Sequence, residues 1–291
     1  MHGFLCINKT LGRTSHDMVA AVRRITRTRA VGHAGTLDPA ATGVLVIALG
    51  MATRLIEYVQ DDTQKTYRAT ICLGSATDSD DATGATIATA NVPQMTTAAW
   101  ATIAQQFTGT IAQVPPAVSA LHHNGERMYE LVRRGVAPTL ASRQVHVHHI
   151  TIEDWQPPYL TCTITCGKGT YIRAIARDMG ESVGSKAHLC QLERTAVGDF
   201  VIADAITTEA LQQMSVADSM LPLEYAVRGW HHIHADAPTI RRIQHGQAIP
   251  ADTHLSTRAA VINEQGKLVA VVVARDGHWH PHKVFHTEGT P

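Results

Sequence analysis

GHAGTLDPAATG, residues 32–43, is the segment on which the reading of this chain turns. Two glycines within four residues, Gly32 and Gly35, allow unusual backbone angles and close approach of a ligand. Pro39 pushes Asp38 toward an extended conformation, so its carboxylate is presented from a loop and not from a helix. A tight turn with Asp38 as a local cap satisfies the same residues. On residue types alone, both readings stand. The segment predicts a loop from Gly32 to Thr42, leading into the apolar run Gly43 to Gly50.

Working outward, residues 2–8 (HGFLCIN) read as a strand. Ser15 or Thr14 can cap a helix from about Asp17 to Thr28, with Met18, Val19, Val22 and Ile25 at helical spacing. Tyr67 to Leu73 alternates as a strand does, and Ser75 to Gly84 is an Asp-rich loop. Helices are predicted near Thr97–Phe107, Met128–Arg134, Thr170–Val183 and Thr208–Met214, and strands at Gln144–Trp155 and Leu160–Cys166. Beyond a boundary placed around Leu221–Arg228, Arg258–Ile262 and Lys267–Ala274 form a hairpin through Asn263-Glu264-Gln265-Gly266. Strands interleave irregularly with helices, so the fold class is α+β.

Composition narrows the function classes. The chain has 291 residues, 44% of them hydrophobic and 17% charged, enough to bury a sizeable core. Lys plus Arg number 25 and Asp plus Glu number 25, which argues against a uniformly basic nucleic-acid coat but leaves room for a local basic groove. Arg13, Arg23, Arg24, Arg27 and Arg29 cluster near the loop, and Arg127, Arg133, Arg134 and Arg143 form a second cluster. The longest apolar run, Leu268–Ala274, is far short of the ~20 residues a membrane helix needs. The opening MHGFLCINKTLGRTS lacks the apolar core of a secretory signal, so a soluble, cytoplasmic protein is expected. Cys6, Cys72, Cys162, Cys166 and Cys190 contain no CxxC pair and read as free thiols. The histidine pairs His122-His123, His148-His149 and His231-His232 match no zinc spacing, so no metal site is expected.

GHAGTLDPAATGVLVIALGMATR resembles the catalytic segment of the TruB family of pseudouridine synthases, with Ala34 where that family commonly has threonine. KTYR at Lys65–Arg68, GSATDSDDATG at Gly74–Gly84 and PPAVSALHHNGERMYELVRRG at Pro115–Gly135 are similar to family blocks. So are KGTYIRAIARDMG at Lys168–Gly180 and AHLCQLERTAVGDF at Ala187–Phe200, all in the family's order. RRIQHGQAI at Arg241–Ile249 more weakly resembles a PUA-type RNA-binding module.

The resemblance implies a catalytic domain over residues 1–225, built on a mixed, largely antiparallel sheet, with a thumb-like insertion at about 119–150. It implies a PUA-like β-barrel over 226–291. It further implies isomerisation of uridine 55 in the T-arm of tRNA, by base flipping, with no cofactor, no metal and a monomeric enzyme. Asp38 takes the place of the nucleophile, and a carboxylate in that role must be ionised, aimed and shielded from water. Arg173 takes the place of its ion-pair partner, Tyr67 of the residue stacked on the base, Leu192 of the apolar pocket wall, and His33 of the side chain filling the space left by the flipped nucleotide. A guide-RNA-dependent synthase shares the aspartate loop; the block from Ser119 to Gly135 and the lack of a long basic tail favour the stand-alone form. A non-catalytic tRNA-folding chaperone is the alternative from another class.

Overall fold

The computed structural model describes residues 1–117, 140–251 and 256–285, and the backbone of the two-residue strands β8 (His122–His123) and β9 (Glu126–Arg127). Its organising element is the apolar strand β3, Ala41–Leu49, buried along almost its whole length. Period-two alternation splits its side chains between two cores. Val44, Val46 and Ala48 face one cluster, and Leu45, Ile47 and Leu49 face another. Such continuous hydrophobicity is the mark of a strand covered on both faces.

β1 (Gly3–Lys9) lies antiparallel along one edge of β3. The other edge is shared by β2 (Val31–Ala34), antiparallel, and β12 (Ala187–Val197), parallel through Leu192↔Ala41 and Arg194↔Gly43. The sheet continues through β4 (Lys65–Leu73), β11 (Tyr159–Cys166), β10 (Arg143–Gln156) and β7 (Gly109–Gln113), with β13 (Phe200–Val201) against β12. All of these pairings but β3–β12 are antiparallel. The mixed, largely antiparallel α+β sheet expected from sequence is present.

The predicted loop from Gly32 to Thr42 is shorter than expected, because Val31–Ala34 is strand and Ala41 begins β3. Gly32 serves packing there: a Cβ would sit 2.7 Å from Cδ1 of Ile56, the first residue of α2 (Ile56–Asp61). The first helix, α1, runs Ser15–Thr26, and Thr14 is its cap. Thr14 Oγ1 accepts from the Asp17 amide at 3.0 Å and Asp17 Oδ2 from the Thr14 amide at 2.8 Å, a reciprocal capping box. Arg27, left-handed at φ 52°, ends the helix two residues before the expected stop.

On one face of β4 and β11, Tyr67, Ala69, Ile71, Cys162 and Ile164 pack against α3 (Thr97–Gln105) and α4 (Ile172–Ser182) through Trp100, Ile175 and Met179. The short strands β5 (Ser75–Thr77) and β6 (Thr86–Thr89) bracket the Asp-rich loop. α5 (Thr208–Gln213) follows the sheet. The remaining chain forms a second sheet of β14 (His232–His234), β16 (Arg258–Ile262), β17 (Leu268–Arg275), β18 (His278–Val284) and β15 (Ile249–Pro250), in that order, with α6 (Ala237–Gln244) beside it. This part is not a detachable appendage. Ala260, Ile262, Leu268, Val271 and Phe285 share one buried cluster with Phe4 and Val46 of the larger sheet and with Leu55 in the helical turn after β3.

The expected helix at Met128–Arg134 and most of the thumb-like stretch lie outside the described residues; residues 143–150 of that stretch belong to β10. No helix among the described residues is long and apolar enough to cross a membrane. The β3–β12 junction yields a stability test. Gly43 has φ 99°, and a Cβ there would lie 2.3 Å from the Arg194 carbonyl oxygen, whereas Gly12 has φ 80° with open space around it. Gly12→Ala should lose about 1–2 kcal/mol of unfolding free energy, from backbone strain alone. Gly43→Ala should lose upward of roughly 3 kcal/mol, because the partner strand must also move. Urea unfolding of the two variants checks the difference.

Candidate active site

Asp38 stands at the turn into β3, and the turn is held from three sides. Ser15, the first residue of α1, accepts from the Leu37 amide at 2.8 Å and donates to the Leu37 carbonyl at 3.0 Å. From below, the buried ammonium of Lys9 donates to the carbonyls of Arg13 (2.7 Å) and Thr10 (3.1 Å) and approaches that of Pro39 at 3.5 Å. From β12, Arg194, 1% exposed, donates to the Val44 carbonyl (2.7 Å) and the Gly35 carbonyl (3.0 Å). Gly35 meets this arrangement with φ 82°, a left-handed value that suits glycine. The Asp38 carbonyl closes the turn by accepting from the Ala41 amide at 3.0 Å.

Arg173, in the first turn of α4, brings a second group of elements to this turn. Its Nη2 lies 2.9 Å from Asp38 Oδ2, and its Nη1 lies 3.4 Å from Asp81 Oδ2 and donates to the Ser79 carbonyl at 3.0 Å. The arginine is the buried partner, at 8% side-chain exposure against 45% for Asp38. A buried guanidinium is costly unless paired and hydrogen-bonded, and these partners meet that need. The Asp-rich loop is docked a second time, by Arg177 Nη1 to Asp80 Oδ2 at 2.8 Å. Burial pushes the Asp80 carboxyl above its ordinary pKa, with Arg177 opposing the shift. The start of α4 is fixed by Gln113, whose amide brackets Tyr171: Oε1 accepts from its N–H at 2.8 Å and Nε2 donates to its carbonyl at 3.1 Å.

These segments enclose a cleft of about 300 Å³, at the lower end of the size range of small-molecule sites. Asp38, Tyr67, Arg173 and Leu192 all line it, so four of the five residues singled out in the sequence meet at one place. Tyr67 is 8% exposed, and burial raises its phenol pKa, opposed by the Arg194 guanidinium, so the hydroxyl stays protonated near neutrality. Lys65, Arg143, Lys168 and Arg194 add positive charge to the walls, while Asp38 is the one carboxylate among the lining residues. Desolvation lowers the Lys65 pKa, as it does that of Lys9, where Asp38 opposes it. Arg143 lies 4.6 Å above the Tyr171 ring at the cleft mouth.

His33 is not among the lining residues. It sits on β2 opposite Ile47, with Nδ1 buried and without a hydrogen-bond partner, and desolvation and then Arg194 lower its pKa. Sequence reading missed Lys9, Asp81, Gln113 and Arg194. Their only signals were a lysine closing a buried strand, the second of paired aspartates, and polar side chains within apolar alternation.

Residues 23–172 match the model of the TruB family pseudouridylate synthase N-terminal domain, and residues 173–228 that of the tRNA pseudouridylate synthase B C-terminal domain. The chain belongs to the TruB family. A tRNA pseudouridine synthase B of Gloeobacter violaceus is 39% identical over 99% of this chain and 100% of its own length. One from Microcystis aeruginosa is 49% identical over 72% of each chain. Among solved structures, a Cbf5-Nop10-Gar1 complex contains a chain that superposes with a TM-score of 0.77 at 24% identity, covering 98% of this chain and 85% of that one. At that identity the likeness concerns the fold. The TruB family assignment places the Asp38 turn in the matched N-terminal domain, while Arg173 opens the C-terminal match.

Arg194 is the cleft residue whose removal should be felt most in stability. Arg194→Met keeps length but leaves the Gly35 and Val44 carbonyls without their donor, and a loss of roughly 2–4 kcal/mol is expected. Amide hydrogen exchange at Leu37 should accelerate in that variant beyond what the global loss accounts for.

Proposed function

We propose that this chain isomerises uridine 55 in the T-arm of tRNA to pseudouridine, acting in the cytoplasm as a monomer with Asp38 as the nucleophile. The observation that carries the reading is the Arg173–Asp38 ion pair of 2.9 Å in a cationic cleft lined also by Tyr67 and Leu192. The names of the relatives point to tRNA as substrate.

The reaction is redox-neutral and balances on its own atoms. The C1′–N1 bond breaks, the uracil rotates, a C1′–C5 bond forms, H5 leaves as a proton, and N1 gains one. Asp38 attacks the nucleoside covalently and is expelled again. Arg173 holds the carboxylate in its attacking position through their ion pair. In the free protein Asp38 is 45% exposed, so its shielding from water falls to the substrate itself once the nucleotide fills the cleft. The target must leave its stacked arm to reach this depth, so base flipping is part of the reading. Tyr67 supplies the stacking face and Leu192 the apolar wall. His33, outside the cleft, is read as the side chain that fills the space the flipped nucleotide vacates. The exposed arginines of α1 and the loop after it supply phosphate contacts.

The direct test is pseudouridine mapping on an unmodified tRNA transcript treated with purified protein. Wild type should modify position 55, and Asp38→Asn should give no product while retaining tRNA binding within about threefold, because one exposed charge is a small part of a phosphate-dominated contact. Turnover by Asp38→Asn, with deamidation excluded by mass spectrometry, removes the nucleophile assignment. Modification elsewhere but not at 55 removes the substrate assignment.

Residues 226–291 are read as a PUA-like RNA-binding module. Truncation would strip a shared core, so charge substitution is the sounder probe. Arg241 and Arg242 are exposed on α6. Arg241→Ala with Arg242→Ala should raise the half-saturating tRNA concentration roughly 3- to 10-fold, with a shallower salt dependence and an unchanged maximal rate.

A further inference from the structure

Outside the cleft, three metal-ligating side chains converge on the face of the large sheet opposite its helices. Cys72 on β4 stands directly across the antiparallel ladder from His188 on β12. Cys190, two residues further along β12, points to the same face. It is also the extra residue of a β-bulge, because Leu189 pairs with Ile71 and Gln191 with Thr70. Bulges commonly re-aim a side chain, and here the two sulfurs and an imidazole nitrogen come within 4.8 Å of one another.

The imidazole is already oriented. His188 Nδ1 lies 3.0 Å from the Ser75 carbonyl oxygen. A carbonyl only accepts, so in the neutral ring Nδ1 carries the hydrogen and Nε2 the lone pair. This is the outer-shell arrangement by which metal-ligating histidines are fixed. The Nε2 atom faces Cys190 Sγ at 3.6 Å. Around a tetrahedral zinc, with Zn–S near 2.3 Å and Zn–N near 2.05 Å, the sulfur–nitrogen separation is also about 3.6 Å.

We propose that Cys72, His188 and Cys190 form a zinc(II) site, with solvent as the fourth ligand. Two sulfurs and an imidazole suit a thiophilic cation and not magnesium or calcium, which need oxygen donors. On binding, each thiol releases a proton to solvent, and the resulting unit of one zinc and two thiolates is neutral, which suits a half-buried position. A disulfide between the cysteines is the competing chemistry. A coordinated cation ionises both thiols and holds them as ligands, which withdraws them from that reaction.

The position has a structural consequence. The Leu189 amide donates to the Asp80 carbonyl at 3.0 Å, and the Ala82 amide to the Leu189 carbonyl at 2.9 Å. The loop that presents Asp81 to Arg173 therefore rests on β12 immediately beside Cys190. A bound cation would brace the β4–β12 ladder at that point.

The test uses the reduced, full-length protein. Titration with Co²⁺ should give a thiolate-to-cobalt charge-transfer band that saturates at one equivalent and is abolished by one equivalent of Zn²⁺. In the same wild-type protein, Zn²⁺ should protect Cys72 and Cys190 from alkylation, as read by peptide mass spectrometry. Cys72→Ser and Cys190→Ser should each weaken binding at least roughly tenfold, the lower end of what losing even an outer-shell partner costs a metal site. Absence of the band together with unprotected cysteines in wild type overturns the proposal, and needs no variant to fold. A band unchanged in both serine variants overturns it as well, as does a Cys72–Cys190 disulfide forming in air in protein that takes up no zinc when reduced.

Discussion

The guanidinium of Arg173 is buried, and a buried cation has to be met by anions and carbonyls held at hydrogen-bond distance. Asp38 comes from the turn before β3, Asp81 and Ser79 from the loop between β5 and β6, and the arginine itself from α4. Three segments distant in sequence are thus tied at one point. Arg194 repeats the device from below, binding the carbonyls of Gly35 and Val44 with almost no exposure of its own. Between these two arginines the Asp38 turn has little freedom. The nucleophilic role proposed for Asp38 needs that, since a carboxylate on a mobile loop would be unaimed.

The rest of the sheet makes those positions available. β3 is covered on both faces, so it anchors the turn that precedes it. The single parallel pairing of the large sheet, β3 with β12, lays Arg194 beside Gly43 and Leu192 beside Ala41. That register puts the apolar wall and the buried arginine on the same side of the cleft. The close approach requires a residue without a side chain at position 43, where a Cβ would meet the Arg194 backbone. The C-terminal sheet completes the outer face of β3 through Phe285, Leu268 and Ile262. Its packing joins the stability of the catalytic core to that of the segment proposed to bind RNA.

Electrostatics in the cleft follow from the same geometry. Five cationic side chains line it against one carboxylate, although the chain as a whole is balanced in charge. Local concentration of one sign in a concave, low-dielectric wall focuses the field, which net charge does not report. Burial lowers the Lys65 and Lys9 pKa values, so their charged forms are held at a cost that packing elsewhere offsets, and it raises that of Tyr67, which stays neutral.

By itself the sequence determined many of the element types, the α+β class, the family and most residues of the candidate site, while the strands β2, β7 and β12 went unread. Helical spacing in α1, alternation in β4 and β11, and the Asn263–Gly266 turn are local properties, set within a few residues by periodicity and turn chemistry. Asp38, Tyr67, Arg173 and Leu192 were legible because they lie in contiguous motifs. What only the tertiary structure decided depends on register between distant strands. Gly32 proved to be a strand residue, paired with Ala48 and packed closely by Ile56, and His33 stands outside the cleft despite sharing the segment of Asp38. Lys9, Asp81, Gln113 and Arg194 support the turn from other elements, and Cys72 meets His188 and Cys190 only across a ladder with a bulge. Sequence spacing reports which side chains share a strand or helix face; which faces meet is set by long-range pairing and burial, and that is a property of the folded chain.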